Sequence, residues 1–498
     1  MKYIVLLLII STQAFAQNKL YQEPYRPQYH FTTPQNWIND PNGLVYANGV
    51  YHLFYQSNPF ANVWGHMTWG HAVSTDLIHW QQMPIAIKEE NGIMAFSGSA
   101  VLDANNSSRF SVNNTQPLVA IYTGHTDTLQ TQNLAFSNDK GITWKKYKGN
   151  PVLDYHKKDF RDPNVFWYQP KQQWIMALSF PNDHQVGLFA SKNLQQWQQI
   201  STFGPVGDTS GVWECPDLMQ VPIEGQPGKY KWVLFTSQNA TMQYFVGEFN
   251  GVNFTNENPI NTIFKQDYGT EYYAAVAYHT TPDKQPIAIG WVNNWFYAND
   301  IPTTPWKGAM ALPRKLSVKK VNNQWQLVQQ PVNNMGSLRG VKSSFNNIKV
   351  GTIGFTLPIK SQVFEMDCVI KPSSGETGIK MAVGNGQYFT IGYNAVTQTL
   401  FTDRSHVGTI SFNKNYDSLA ICKAKVSLIN GKLKLHIYYD KSIVEVYANN
   451  GSAVFTVQLF PDAINNAIEL YTSGGNAFFE RIEFWKMNSI WQQTVKSK

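Results

Sequence analysis

Asp162-Pro163-Asn164-Val165-Phe166-Trp167-Tyr168, then Trp174-Ile175-Met176-Ala177-Leu178-Ser179-Phe180, then Ser191-Lys192-Asn193 running on to Trp197, form one copy of a unit that this chain repeats. The first run opens on Asp-Pro, where proline withholds a ladder N–H and stiffens the start of a strand. The second is strand-length and rich in aromatic and branched residues. The third is a Ser-x-Asn turn ahead of a tryptophan. Runs like the second recur at 51–56, 118–124, 231–237 and 286–293. With Tyr55, Tyr122, Leu178, Phe235 and Trp291 taken as equivalent, the spacings are 67, 56, 57 and 56 residues. A further strand precedes each run, at 40–48, 96–103, 162–168, 215–221 and 272–278, and the turn before tryptophan returns at 74–80 and 137–144. Repeats of this kind, with three or four strands each, indicate β-propeller blades. A β-sandwich of equal strand number would lack the period. The expected fold is therefore all-β, with residues 17–330 forming a five-bladed β-propeller around a central channel.

The period fades after Arg314, and the polar residues 331–344 read as a linker. Alternating strands with turn signals follow at 364–370, 378–383, 388–393, 434–440, 443–448, 453–460 and 477–485. Short strands at this spacing predict a β-sandwich over 345–498. Its apolar Phe455, Leu459 and Phe460 suggest a packed interface with the propeller.

The 498 residues are 43% apolar, enough to fill two such cores. Residues 1–16 hold one lysine, an apolar run and Ala14-Phe15-Ala16, the pattern of a secretory signal peptide cleaved before Gln17. No later run reaches the length of a membrane span, so the expected location is secreted or periplasmic. The formal charge of +7 falls to +6 without Lys2 and is spread in pairs such as Lys145-Lys146, unlike the clustered stripe of a nucleic-acid binder. Three cysteines are too few for a disulfide scaffold. Cys368 and Cys422 are the one pair within the same half, and three free buried thiols are the simpler reading. His66 and His71 make no metal pattern with them, and neither a dinucleotide fingerprint nor a phosphate loop is present. The reading requires no cofactor and no metal.

In a propeller the first strand of each blade lines the channel. Asp40, Asp162 and Glu214 stand at the starts of these strands in the first, third and fourth copies, so their carboxyl groups converge on one mouth. A fourth acidic stretch, Asp267 to Glu271, precedes the strand of the fifth copy. Each motif alone has a plain reading, since Asp-Pro-Asn-Gly is a good turn and Arg161-Asp162 an ordinary ion pair. Matching positions in separate blades argue against all of these at once. Clustered carboxylates are costly unless they carry acid–base chemistry.

Trp37-Ile38-Asn39-Asp40-Pro41-Asn42-Gly43, Phe96-Ser97-Gly98-Ser99, Arg161-Asp162-Pro163 and Glu214-Cys215-Pro216 resemble the signature blocks of glycoside hydrolase family 32, the invertases, levanases and inulinases. The stretch from Asp440 to Tyr447 is similar to that family's sandwich module. The resemblance spans nearly the whole chain beyond the leader. It implies a retaining β-fructosidase that takes fructose from levan, inulin or sucrose. Asp40 would be the nucleophile, Glu214 the general acid/base and Asp162 the transition-state stabiliser. Arg161 would hold Asp162 charged. By the same resemblance Asn39, Gln56, Trp64, Phe96, Ser97, Arg161 and Trp291 would contact sugar. Gln56 and Trp291, at the ends of second strands, read equally as packed blade residues facing the mouth. Trp64 lies in a loop, where an exposed indole can stack on a furanose. Fructosyl transfer through the same intermediate and a non-catalytic fructan-binding propeller are the alternatives. The implied partner is a fructose-containing oligo- or polysaccharide, and oligomeric state is not legible.

Overall fold

A computed structural model describes residues 20–408 and 411–491, so the expected leader at 1–16 lies outside the described residues. The chain folds as an all-β molecule whose first part is five sheets of four or five strands, antiparallel but for one short closing strand. Their innermost strands are Asn36–Ala47, Met94–Leu102, Arg161–Tyr168, Glu214–Pro222 and Tyr273–Tyr278, and they touch in cyclic order around a channel. The ring closes where the two-residue strand Trp306–Lys307 pairs parallel with Asn36 and Trp37 of the first blade. Second strands are apolar on both faces because each blade packs against two others: Gln173–Phe180 is buried at seven of eight positions. Third strands end as the sequence implies. Ser74, Ser137 and Ser191 each bond the residue two ahead, Asp76, Asp139 and Asn193, which turns the chain toward the outer strand.

The repeat needs one adjustment of register. Tyr55, Tyr122 and Phe235 are equivalent, each pairing with the third residue after the last ladder pair at the mouth. In blades three and five that position belongs to Ala177 and Ile289, so Leu178 and Trp291 are offset by one and two residues. Apolar runs carry no mark of register when every position is buried.

Two six-stranded sheets form the second part, enclosing one core that includes Phe364, Ile391, Val446 and Phe484. The stretch 331–344 is not a free linker. A 3-10 helix, Asn333–Leu338, is followed by the strand Arg339–Val350, which pairs with Ala477–Met487. Its residues are mostly exposed because it is an edge strand, so its polar composition disguises it. Among the described residues no helix is long and apolar enough to cross a membrane.

The two parts meet over a buried charge network. Arg314 of blade five pairs with Asp267 at 2.8 Å and with Glu445 of the sandwich at 2.8 Å. His30 bridges Asp440 at 2.8 Å and Glu445 at 3.1 Å, and Arg404 pairs with Glu271 at 2.6 Å. The fourth acidic stretch thus serves this seam. Its backbone lies along the sandwich strand Ala453–Gln458, with Tyr268 N donating to Val454 O at 2.8 Å.

Candidate active site

One backbone irregularity, repeated five times, builds the mouth of the channel. Each inner strand slips register at the same depth: between Ile38 and Pro41, Ala95 and Gly98, Arg161 and Asn164, Glu214 and Asp217, and Tyr273 and Val276. Two residues there oppose one on the second strand, which is a β-bulge, and bulges re-aim side chains. The bulged pairs include Asn39 and Asp40, Phe96 and Ser97, and Asp162. In the last three blades the first bulged residue has positive φ, at 65° for Asp162, 46° for Cys215 and 52° for Ala274. Arg161, Glu214 and Tyr273 share the ladder position just before it.

These positions bring the three acids together. Cys215 Sγ lies 3.6 Å from Asp40 Oδ2 and 3.7 Å from Asp162 Oδ2, and Cys215 N donates to Asp162 Oδ2 at 2.9 Å. Asp40 also accepts from Ser97 Oγ at 2.7 Å and Asn39 Nδ2 at 3.0 Å, while Trp37 Nε1 fixes Asn39 at 2.7 Å. Glu214 is held at both oxygens. Arg161 donates to Oε1 through Nε at 3.1 Å and Nη2 at 3.0 Å, and Tyr273 Oη donates to Oε2 at 2.5 Å.

Burial raises the Asp40 carboxyl above its ordinary range, and Glu214 adds to this against the bonds from Ser97 and Asn39. For Asp162 burial wins outright. Its carboxyl is pushed up to about 7, with Glu214 and Asp40 reinforcing the effect and Arg161 opposing it. Arg161 pulls the Asp162 carboxyl down but does not offset its burial, and its own hydrogen bonds go to Glu214, Asp159 and Gln130. Burial works against the Arg161 cation, yet Glu214 and Asp162 keep it protonated. The Cys215 thiol is raised far by burial and by Asp162 and Asp40, so it stays a neutral donor. All three cysteines are free and buried.

Of the other predicted residues, Trp64 is 40% exposed and meets Phe96 edge-on at 6.1 Å, while Phe96 stacks on His125 at 4.0 Å. Gln56 and Trp291 do not face the mouth openly. They are 2% and 0% exposed: Gln56 Nε2 donates to Ala95 O at 3.1 Å, and Trp291 packs beneath the site beside Cys215 and Tyr273. Gln56 lies opposite the Asn39-Asp40 bulge, while Trp291 pairs with Tyr273 just before the fifth one. Two residues escaped the sequence reading. Tyr273 takes in the fifth blade the ladder position that Glu214 takes in the fourth, which the register of the strands shows and the sequence does not mark. Trp295, 36% exposed and 4.8 Å from Trp291, is the indole of this cluster that reaches the surface.

Two carboxyl groups on facing blades, one clamped by a cation and a phenol and one fed by small donors, suit attack at a carbon with protonation of its leaving oxygen. The family model described as the glycosyl hydrolases family 32 N-terminal domain matches residues 30–331, and that of the family 32 C terminal matches residues 326–486. A levanase of Bacillus subtilis is 41% identical over 98% of this chain and 75% of its own length. An extracellular exo-inulinase of Aspergillus awamori is 35% identical over 98% of both. The crystal structure of an exo-inulinase from A. awamori superimposes with a TM-score of 0.89, covering 95% of this chain and all of that one. A β-fructofuranosidase from Schwanniomyces occidentalis, solved with fructosyl-erythritol, gives 0.86 at 30% identity, covering 94% of this chain and 99% of that one.

Proposed function

Because the chain belongs to glycosyl hydrolase family 32, we propose that it is a retaining β-fructosidase releasing terminal fructose from levan, inulin or sucrose. The observation that carries this reading is the convergence of Asp40 and Asp162 on the Cys215 thiol, with the Glu214 carboxyl of a third blade close enough to act on both. Asp40 attacks the anomeric carbon C2, and the bond from C2 to the leaving oxygen breaks. Glu214 gives its proton to that oxygen. Water then enters as Glu214 takes a proton from it, and the C2–Asp40 bond breaks, restoring both acids. Asp162 grips fructose hydroxyls. Asn39 and Ser97 hold the nucleophile, while Arg161 and Tyr273 hold the acid/base. Trp64, Phe96 and Trp295 form the apolar wall for the sugar ring, supported from below by Gln56 and Trp291. Residues 17–330 are the catalytic unit and the sandwich its support. The extracellular relative and the leader-like residues 1–16 support export.

Replacing Glu214 with Gln tests the reading. Natural fructans have a poor leaving group and should lose about 10²–10⁴-fold in rate. An activated fructoside should lose much less in its first step, and azide should restore turnover because it attacks without a base. Equal losses on both substrates with no azide effect would refute the role of Glu214. The next acidic residue along the same strand, Asp217, is no substitute: it is fully buried and bonded to Ala277 N and His279.

A further inference from the structure

The two exposed indoles at the mouth, Trp64 and Trp295, depend on a single loop, residues 293–303 of blade five. Trp295 is part of it. Trp64 is tied to it by its backbone N–H, which donates to Asn299 Oδ1 at 3.2 Å, while Asn62 Nδ2 donates to Thr303 O at 3.1 Å. The outer side of this loop is held by the sandwich. Asn413 Nδ2 donates to Asp300 Oδ2 at 2.6 Å and Asn415 Nδ2 to Phe296 O at 3.3 Å. Tyr297, one residue beyond, is buried edge-on against Tyr416 at 5.2 Å, and its hydroxyl joins Glu271 and Arg404. The Arg404 guanidinium lies 3.8 Å over the Tyr416 ring. Asn413 has no freedom to drift, because its Oδ1 caps the short helix Lys414–Ser418 by accepting from Asn415 N at 2.8 Å.

We propose that the sandwich segment 412–418 is a specificity element of the active site, in which Asn413 and Asn415 are positioning residues. They set where the 293–303 loop places Trp295 and Trp64, and so how tightly the terminal fructose is gripped. The proposal rests on the β-fructosidase reading above. It gives the sandwich a part in substrate affinity, beyond that of a support. The Asn413–Asp300 bond lies at the surface, where its loss spares the fold, whereas the buried Arg404–Glu271–Tyr297 group does not allow that separation.

The test is Michaelis kinetics of the full chain on sucrose and on levan, with melting temperature measured alongside. The double variant Asn413→Ala, Asn415→Ala should raise KM about three- to tenfold, the worth of one or two lost hydrogen bonds. Its kcat should stay within about twofold, and its melting temperature should fall by no more than the few degrees that loss of the Asn413 cap costs. Asn413→Asp sets a carboxylate against Asp300 and should raise KM at least as far. Adding Asp300→Asn to it re-forms the pair with donor and acceptor exchanged, and should restore KM. An unchanged KM, a KM that the exchange fails to rescue, or a kcat that falls together with melting temperature would overturn the proposal. A wild-type protein that cleaves neither substrate would overturn the β-fructosidase reading and this proposal with it. An active wild type with unaltered variants would overturn this proposal alone.

Discussion

Asp162 is a carboxyl group that the fold holds at a disadvantage. It is buried and sits near Glu214 and Asp40, and these outweigh Arg161 and the bond from the Cys215 amide, so its carboxyl is pushed up to about 7. A folded-state value above the ordinary 3.8 means that the folded protein binds this proton more tightly than the unfolded chain does. Stability attributable to this group is therefore lowest above pH 7 and recovers as pH falls from about 7 toward 4. Asp162→Asn keeps an acceptor for the Cys215 amide and removes the buried charge. At pH 8 it should raise the melting temperature by about 2–4 °C, and the gain should shrink at pH 5. Turnover should fall on the order of 10²-fold or more, because the lost charge faces the transition state. Calorimetry at the two pH values decides the matter: an equal gain at both, or none at either, would show that burial of this charge is not what strains the site. Strain kept at a reacting centre and compensated elsewhere is a usual cost of function.

The five bulges act as the elements that turn blades into a site, and the second depends on having no side chain at Gly98. A Cβ there would lie 2.1 Å from Ile121 O and 2.7 Å from Tyr122 Cα, both backbone atoms that cannot swing aside. Gly98→Ala should push the bulge outward and carry Ser97 off its 2.7 Å bond to Asp40. We expect a loss of about 1–3 kcal/mol in urea unfolding together with reduced kcat, and unchanged values of both would show that the bulge is not rigid. How far these elements were legible follows from what each leaves in the sequence. The Asp-Pro starts and the Ser-x-Asp/Asn turns are local signals, and they mark the blades. The bulge has no signature of its own: its residues differ from blade to blade, from Asn39-Asp40 to Ala274-Ala275, and the second strand opposite is buried at nearly every position. For that reason Leu178 and Trp291 fell out of register, and Tyr273 was not seen beside Glu214. The distinction between buried Trp291 and exposed Trp295 depends on which indole the 293–303 loop carries to the surface, and no periodicity records it. In the sandwich, Phe460 clusters with the propeller residue Tyr297 and the Phe455 ring meets the propeller residue Tyr268 at 5.8 Å, but Leu459 belongs to the inner core. Alternation identifies a buried face without saying what covers it.

At the scale of the whole molecule, the sandwich and propeller share charges that neither can keep alone. Asp267, Glu271 and Arg314 of the propeller find Thr456, Arg404 and Glu445 across the seam, all of them buried. Ending the chain after Pro331 would strand these groups beside an apolar face, and removing one partner of a buried pair costs more than the pair contributes. The isolated propeller should therefore be insoluble or melt far below the full chain, and a soluble fragment with unchanged melting temperature would contradict this. The same seam has a pH signature centred on His30. Burial alone would make its imidazole harder to charge, but Asp440 and Glu445 raise it to about 9. Glu445 in turn is lowered to about 2: burial opposes this, and Arg314 and His30 overcome it. A histidine raised in the folded state contributes stability that is complete below its ordinary value near 6.5 and is lost as pH climbs through about 9. A carboxylate lowered in the folded state contributes stability that is complete above about 4.5 and is lost as pH falls through about 2. The seam should therefore be strongest between about pH 4.5 and 6.5. His30→Gln leaves a polar side chain of similar reach but no positive charge between the two carboxylates. Its melting temperature should lie well below wild type at pH 6, and the gap should narrow steadily from pH 7 to pH 10 as wild-type His30 gives up its proton. Activity below the melting range should change little, since His30 touches the seam and none of the acids at the mouth. A gap that stays constant across this range would mean that His30 joins the two domains by shape and hydrogen bonding alone, without its charge.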